Sequence, residues 1–263
     1  MTQNQQKSMI PPRRDNYPVP PFNELNMMGF GVPGSGKTRF FSGDKDIIVV
    51  GTEPGQSFTK ARVVPIRSWN AFKHFVHEMG ARKKSGTLDC SGVAIDIVDN
   101  LHTLCQDSIC QAKGFAHPND DVKGYGRLWG AVTKEWKGWI GALMDITNVH
   151  FVTHCKDELI EIEGDLGIKE EITRFGPTFS RNKAAQYLDG IVSAVGYFTM
   201  AKDGTFSLTF HKDARIDCKD RTDILTALGQ IKLPSQPELG FGHVAKLYEA
   251  KAKEMGFVIQ TKR

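Results

Sequence analysis

Short apolar runs alternate with segments of helical periodicity through the first two thirds of the chain. The runs predict strands at Leu25–Phe30, Ile47–Gly51, Val93–Val98 and Val149–Thr153. Between them, apolar residues three and four positions apart predict helices over Trp69–Lys84, from Leu101 through Leu104 to Cys105, and over Leu128–Ile146. Strands that alternate with helices of this length indicate an α/β fold with a mainly parallel central sheet flanked by helices.

The last third has a different pattern, in which strand-like runs follow one another. A hairpin is predicted over Glu158–Glu163 and Lys169–Arg174, around two glycines. Further strands are predicted over Gly190–Thr199, Thr205–His211 and Ala214–Cys218. A charged helix is expected over residues 243–255. The predicted fold therefore adds C-terminal antiparallel strands to the parallel core.

The two ends of the sequence are expected to lie outside the core domain. Residues 1–22 contain five prolines and several Gln and Asn without periodicity, which predicts a flexible N-terminal arm. Whether this arm is a plain tail or docks on a neighbouring subunit stays open. The core domain is expected over residues 23–229, and residues 230–263 are expected to form a linker and a packing helix.

The amino-acid composition argues against a membrane protein and against a secreted protein. The 263 residues are 40% apolar and 24% charged, which is typical of a globular chain. No apolar run is long enough to cross a membrane, and residues 1–14 lack the apolar segment of a secretory signal. Five cysteines without a CxxC pair favour a reducing compartment, so a cytoplasmic protein with no membrane partner is expected. A net charge of +4 permits a nucleic-acid partner without arguing for one.

The most specific motif is GVPGSGKT, which follows the first predicted strand directly. Its glycines allow the backbone torsions that turn successive N–H groups toward phosphate oxygens. The lysine is expected to neutralise the β- and γ-phosphates, and the threonine hydroxyl to ligate Mg²⁺. The predicted nucleotide-binding residues are Gly31, Val32, Pro33, Gly34, Ser35, Gly36, Lys37, Thr38 and Arg39. The motif predicts binding of a nucleoside triphosphate, with ATP and Mg²⁺ as cofactors.

A second acidic residue is needed beside the metal. Asp96 ends the apolar run Gly92-Val-Ala-Ile, which is the form of a Walker B strand, so Thr38 and Asp96 are the predicted metal ligands. Asp99 is a weaker candidate. A strand-end turn or a helix cap is the alternative role for Asp96.

The residue after Asp96 is Ile97, so the water-activating carboxylate has to come from elsewhere. Glu53 follows the strand Ile47–Gly51 and is expected at the edge of the sheet that faces the ligand. A carboxylate there can accept a proton from the water that attacks the γ-phosphate. The alternative is a turn residue before Pro54.

A P-loop, a strand ending in Glu, and an aspartate-terminated strand without an adjacent Glu together resemble the RecA/RadA-like ATPases. Within that group the chain is most similar to small phage RecA-like single-strand annealing and recombination ATPases, over roughly residues 24–225. The resemblance implies a sensor role near the γ-phosphate for His154. It also implies that Lys219 and Arg221 reach the γ-phosphate of a neighbouring subunit. An ordinary strand-end histidine and a solvated charged turn are the alternatives.

DNA contacts are expected in two segments that follow the third and fourth strands of the core. Basic and aromatic residues on a flexible loop suit contacts with a single strand. The candidates are Lys113, Phe115, Lys123, Tyr125 and Arg127 in the first segment, and Arg174, Arg181 and Lys183 in the second. Ordinary surface loops are the alternative for both.

The resemblance implies an ATP-dependent, single-stranded-DNA-binding recombinase or annealing protein of DNA recombination and repair. Its ATPase is expected to be stimulated by DNA. The expected partners are single-stranded DNA, further copies of the chain in a filament or ring, and a single-strand-binding protein. Three alternatives stay open: a RecA-fold helicase-type motor, a P-loop small-molecule kinase, and a nucleotide switch that does not act on DNA. Strand exchange and annealing are not distinguished by the sequence.

Overall fold

The computed structural model describes residues 18–53, 61–163, 169–180 and 182–261. Most of the predicted arm, the turn of the predicted hairpin, and Arg181 lie outside these residues. The described strands are β1 Pro18–Val19, β2 Met27–Gly31, β3 Ile47–Gly51, β4 Arg62–Pro65, β5 Gly92–Asp96, β6 Asn148–Glu163, β7 Lys169–Pro177, β8 Ala194–Met200, β9 Phe206–Thr209, β10 Lys219–Asp220, β11 Gln230–Lys232 and β12 Val258–Ile259.

Seven α-helices lie between these strands in the described part of the chain. They are α1 Lys37–Ser42, α2 Trp69–Ser85, α3 Val98–Ala112, α4 Arg127–Ile146, α5 Lys183–Ile191, α6 Ile224–Ala227 and α7 Gly240–Glu254. Short 3₁₀ turns occur at Phe22–Glu24, Pro118–Asp120, Val122–Gly124 and Pro237–Leu239. None of the helices in the described ranges combines the length and the apolar character that a bilayer crossing requires.

One twisted sheet organises the domain, with strand order β11-β9-β8-β2-β6-β5-β3-β4. Strands β8, β2, β6, β5, β3 and β4 run parallel to one another. Strands β9 and β10 pair antiparallel with β8, and β11 pairs antiparallel with β9. This confirms the prediction of a mainly parallel sheet, flanked by helices and extended by antiparallel strands.

Helices cover both faces of the sheet, because successive strand residues point to opposite sides. On β3, Ile48 and Val50 pack into the core beneath α2, α3, α4 and α5, whereas Ile47 and Val49 pack into the core beneath α1, α6 and α7. The central strands are therefore buried on both faces, which explains why they read as continuous apolar runs rather than alternating patterns.

Strand β6 belongs to two sheets. Its first part, Asn148–His154, pairs with β5 and β2 inside the parallel sheet. From Cys155 onward it leaves that sheet and pairs with β7 as an antiparallel hairpin. The predicted hairpin is thus a direct continuation of the strand that carries His154.

The predictions for the last third needed two corrections. Helix α5 was missed, although Asn182 caps it by accepting a 2.7 Å hydrogen bond from the Ala185 amide. The strand predicted from Gly190 begins only at Ala194 because α5 occupies the positions before Val192.

The strand predicted over Ala214–Cys218 was also wrong. Asp213 accepts hydrogen bonds from the Arg215 and Ile216 amides, which turns the chain, and the ladder with β8 forms at Lys219–Asp220 instead.

The packed domain includes described residues that precede the expected domain boundary at residue 23. Pro18–Val19 pairs in parallel with Val258–Ile259, and the Tyr248 hydroxyl donates to the Pro20 carbonyl at 3.2 Å. Phe22 is fully buried against Phe241 of α7. Residues 18–22 therefore belong to the packed domain rather than to a flexible arm.

Candidate nucleotide site

The predicted site residues of four neighbouring strands meet at one edge of the sheet. Because β2, β6, β5 and β3 are parallel, their carboxyl ends lie side by side. Gly31 is level with His154, and Asp96 is level with Gly51, two residues before Glu53. We call this the carboxyl edge of the sheet. It places the phosphate loop, the predicted metal ligand, the predicted base and the predicted sensor on the same side of the molecule.

The phosphate loop, residues 31–38, runs from the end of β2 into α1. Gly34 and Gly36 have φ values of 81° and 88°, a region that residues with a side chain rarely occupy. A Cβ atom on Gly31 would overlap the carbonyl oxygen of Phe198, so the strand end also requires glycine. Ser35 is buried inside the loop, while Val32, Pro33, Gly34 and Arg39 face solvent. The backbone conformation is the one that a phosphate cradle needs.

Lys37 is folded back over this loop. Its ammonium donates hydrogen bonds to the carbonyls of Gly31 at 2.6 Å and Val32 at 2.9 Å. Only 6% of the residue is exposed, and burial lowers the pKa of Lys37 despite the opposing effect of Asp96. A phosphate group would replace the carbonyl partners with a negative charge, which is the contact that a desolvated ammonium favours.

Thr38 and Asp96 form the centre of the site. The Thr38 hydroxyl donates a 2.7 Å hydrogen bond to Oδ2 of Asp96, which is 2% exposed. A hydroxyl and a carboxylate in contact at the end of a phosphate loop are the donor set that Mg²⁺ takes together with substrate phosphates. The residues therefore fit the predicted metal role, and Thr38 and Asp96 would hold the ion.

Glu53 lies beyond Asp96 on the same edge. Its Oε1 is 3.6 Å from Nε2 of His154 and accepts a hydrogen bond from the Asn100 amide at 3.3 Å. Arg67 donates to the carbonyls of Gly51 and Glu53, which fixes the backbone that carries the carboxylate. Glu53 and His154, predicted separately, thus face each other at the carboxyl edge of the sheet.

The carboxylate of Asp99, the weaker metal candidate, contacts two hydroxyl groups. Its carboxylate accepts hydrogen bonds from the hydroxyls of Thr153 at 2.6 Å and Thr178 at 2.9 Å. These two hydroxyls are also 2.8 Å from each other. Asp99 therefore connects the start of α3 to β6 and to the residue after β7. Its contact on β6, Thr153, directly precedes His154.

Lys219 and Arg221 lie far from the phosphate loop of their own chain. Lys219 is paired with Val195 near the start of β8, whereas the phosphate loop is level with Phe198. Three strand residues separate these levels, about 10 Å along β8. Lys219 donates to both the carbonyl and the carboxylate of Asp189, and Arg221 donates to the Gly190 carbonyl at 2.7 Å. Both cations point toward the end of α5, at the edge of the sheet opposite the phosphate loop.

The first predicted DNA segment is a structured loop between α3 and α4. His117 caps the turn Pro118–Asp120, and the indole of Trp129 donates to Asn119 at 2.8 Å. Tyr125 has a φ of 48° and is 95% exposed. Lys113, Lys123 and Arg127 are exposed on the same segment, and Phe115 is half-buried.

The second predicted DNA segment is divided by the fold. Arg174 lies on β7 and forms a 2.8 Å ion pair with Asp217, so its charge is already partnered. Lys183 is exposed at the first residue of α5. Arg181 lies outside the described residues. The structure therefore brings Lys183 and Arg174 to different elements rather than to one loop.

Sequence reasoning missed three residues that hold the site together, namely Asn100, Arg67 and Thr178. Each acts through a contact between segments that are distant along the chain: Asn100 to Glu53, Arg67 to the carbonyls of Gly51 and Glu53, and Thr178 to Asp99. A single polar residue at a strand or helix end gives no pattern that separates it from an ordinary cap. The one available signal was that Asn100 directly follows the predicted Asp96–Asp99 segment.

A family model described as AAA domain (AAA_24) matches residues 23–222. No curated protein matches the chain at a significant level. The matched span covers most of the chain, including the phosphate loop, Glu53, Asp96, His154, Lys219 and Arg221. Families of this type hydrolyse nucleotides at a phosphate loop, in agreement with the geometry at the carboxyl edge. The chain therefore belongs to the AAA domain family and is an ATPase of the P-loop type.

Proposed function

We propose that this chain is a RecA-like ATPase that binds single-stranded DNA and hydrolyses ATP between neighbouring copies, in recombination or strand annealing. The observation that carries the proposal is the separation of Lys219 and Arg221 from their own phosphate loop. Each chain holds one complete phosphate cradle at the carboxyl edge and one pair of cations at the opposite edge. The two halves complement each other only when a second copy is present.

The chemistry of phosphate transfer explains why the second copy is needed. Charge develops on the γ-phosphate oxygens in the transition state, and a guanidinium supplied across an interface stabilises it. Within one chain, Lys37 is the buried cation of the cradle. Lys219 and Arg221 of a neighbour would add the missing positive charge if copies stack carboxyl edge to opposite edge, as a filament or a ring does.

The remaining site residues have roles that follow from their positions. Glu53 accepts the proton of the attacking water, and His154 and Asn100 hold its carboxylate in place. Lys37 binds the β- and γ-phosphates. Thr38 and Asp96 would hold Mg²⁺, which would neutralise charge on the phosphate oxygens.

The loop between α3 and α4 supports a single-strand contact. A tyrosine that is almost fully exposed on a capped, hydrogen-bonded loop provides a stacking surface for a base. Lys123, two residues earlier, and Lys113 add positive charge for the backbone phosphates.

Subunit mixing tests hydrolysis between copies. Lys37→Ala removes the cradle cation but keeps Lys219 and Arg221, and Arg221→Ala does the reverse. We expect each variant alone to be inactive and a mixture of the two to regain ATP turnover, because some interfaces then combine an intact cradle with an intact Arg221. Absence of recovery from mixed, assembled protein would contradict catalysis across an interface.

DNA dependence is tested by ATP turnover without DNA, with a single-stranded oligonucleotide and with the matching duplex. We expect marked stimulation by the single strand alone, and loss of that stimulation in Tyr125→Ala. Val258→Ala, which removes another exposed side chain on β12, serves as the matched control. An ATP turnover rate that neither DNA changes, together with no ATP-dependent binding of the single strand, would overturn the DNA part of the proposal. The assignment as an ATPase would be unaffected.

A further inference from the structure

An open cleft of about 320 Å³ adjoins the phosphate loop on the side away from Glu53. Its lining residues from the loop and α1 are Gly34, Gly36, Lys37, Thr38 and Arg39. The remaining lining residue is Phe206, the first residue of β9. Larger clefts of the described fold lie elsewhere, beside α2 and beside β10. The cleft at the phosphate loop therefore combines a polar cradle with one aromatic side chain from another part of the sheet.

The position of Phe206 is fixed by the sheet. It pairs with Met200 of β8, and its carbonyl accepts a 2.8 Å hydrogen bond from the Leu233 amide. Its ring edge lies close to the loop, because a Cβ atom on Gly36 would be 3.2 Å from Cδ1 of Phe206. The side chain is half-buried, so part of the ring packs against the loop and part faces the open cleft.

An aromatic ring gives a phosphate group no hydrogen bond and no charge, whereas it gives the base of a nucleotide a surface to stack on. Stacking on an aromatic ring removes the flat apolar faces of a base from water, and it tolerates any base because each has a π-face. Arg39 is exposed on the first turn of α1 and lines the same cleft, where a guanidinium can also lie against a base.

We propose that Phe206 forms the aromatic wall against which the base of the bound nucleotide packs. The phosphates then occupy the cradle of residues 31–38, and the base leaves it toward β9. The inference rests on the proposed ATPase function and adds to it the residue that distinguishes a nucleotide from a bare polyphosphate. Since the contact is stacking, it supports ATP and GTP alike and does not select between them.

The test compares binding of Mg–ATP and of Mg–tripolyphosphate, which has the phosphates without the nucleoside. Equilibrium dissociation constants are measured by calorimetry for the full chain and for Phe206→Ala, Phe206→Leu and Phe206→Tyr. We expect Phe206→Ala to weaken ATP binding about 10-fold or more while tripolyphosphate binding changes less than about twofold. Phe206→Tyr keeps the ring and should bind ATP as the unchanged chain does, and Phe206→Leu should fall between.

Phe257→Ala is the matched control, because Phe257 is also a half-buried phenylalanine but lies beside β12. Equal losses for ATP and tripolyphosphate in Phe206→Ala would mean that the ring only shapes the loop, and would overturn the proposal. Unchanged ATP binding in Phe206→Ala would overturn it as well. If the unchanged chain binds neither ligand, the nucleotide function itself falls and the role of Phe206 with it.

Discussion

The hydroxyl of Thr38 donates a 2.7 Å hydrogen bond to Oδ2 of Asp96, across 58 positions of sequence. This contact connects the first turn of α1 to the end of β5, two strands away from the phosphate loop in the sheet. It shows that the two predicted metal ligands converge on one point.

Asp96→Asn tests this convergence. The amide retains the size of the side chain and can still accept from Thr38, but it loses the charge that holds Mg²⁺. We expect ATP turnover to fall about 100-fold or more while the melting temperature changes little. Turnover and nucleotide binding are measured across a Mg²⁺ titration; an unchanged Mg²⁺ dependence would show that Asp96 is not a ligand.

Glu53→Gln separates hydrolysis from binding. The glutamine can keep the hydrogen bond from Asn100, but it cannot accept the proton of the attacking water. We expect turnover to fall about 10²- to 10⁴-fold with ATP affinity preserved. Single-turnover hydrolysis and equilibrium binding are the measurements. Normal hydrolysis by this variant would rule out Glu53 as the base and would favour a nucleotide switch or another carboxylate.

Asp99→Ala tests the connection between α3, β6 and β7. Removing the carboxylate takes a charged acceptor from the hydroxyls of Thr153 and Thr178, and Thr153 is fully buried. We expect a loss of about 2–3 kcal/mol in the free energy of unfolding, measured by denaturant titration. Glu249→Ala on the exposed side of α7 should change it by less than about 0.5 kcal/mol. Equal values for the two variants would show that the Asp99 contacts contribute nothing.

His150 gives the fold a defined acid sensitivity. Its ring is buried between Phe41 and Phe241, and neither ring nitrogen has a hydrogen-bond partner among the described residues. Burial lowers the pKa of His150 from 6.5 to about 3. Between these values the unfolded chain binds a proton that the folded chain does not, so stability rises with pH and is lost as pH falls below 6.5.

The measurement compares the unfolding free energy at pH 6.5 and pH 5 for the unchanged chain and for His150→Phe. Over that interval His150 accounts for a loss of about 2 kcal/mol, which the variant should not show. The phenylalanine keeps an aromatic ring between Phe41 and Phe241. Parallel pH profiles for the two proteins would contradict the burial of a neutral imidazole.

Alanine substitutions at two glycines should change the free energy of unfolding in opposite directions. Gly43 has an ordinary helical backbone, but an added Cβ would overlap the backbone of Glu238 in the turn Pro237–Leu239. Gly138, in the middle of α4, has no heavy atom within 4 Å of the same position. We expect Gly43→Ala to destabilise the fold by more than about 1 kcal/mol and Gly138→Ala to stabilise it by about 1 kcal/mol. Thermal and denaturant unfolding measure both; a stable Gly43→Ala protein would mean that the turn does not pack on α1.

The parallel core could be predicted because its determinants are local. Both faces of β3 and β5 are buried, so the apolar runs were continuous, and the phosphate loop carries its own glycines. Parallel strands then bring their ends together, which predicted the nearness of Thr38 and Asp96 without any knowledge of packing. The catalytic roles of Glu53, His154 and Arg221 stay predictions.

What the sequence did not predict depends on contacts between distant segments. The site of Lys219 and Arg221 at the edge opposite the phosphates follows from the pairing of β10 with the start of β8, and α5 supplies their partners. Neither element has a strong pattern: β10 has two residues, and α5 was obscured by the strand-like run after it. The burial of His150 likewise comes from α1 and α7, which close over it from the two ends of the chain.

The pairing of Pro18–Val19 with Val258–Ile259 holds the first and last strands of the described domain side by side. Gln260 adds a hydrogen bond from its amide to the Val19 carbonyl. A peptide or fluorophore attached near residue 18 would therefore emerge beside one attached near residue 260, on the same patch of surface. Cutting the chain before β12 would remove the strand that pairs with β1 and would weaken the attachment of the segment that carries Phe22. A truncation after α7 would therefore destabilise the packing of residues 18–22.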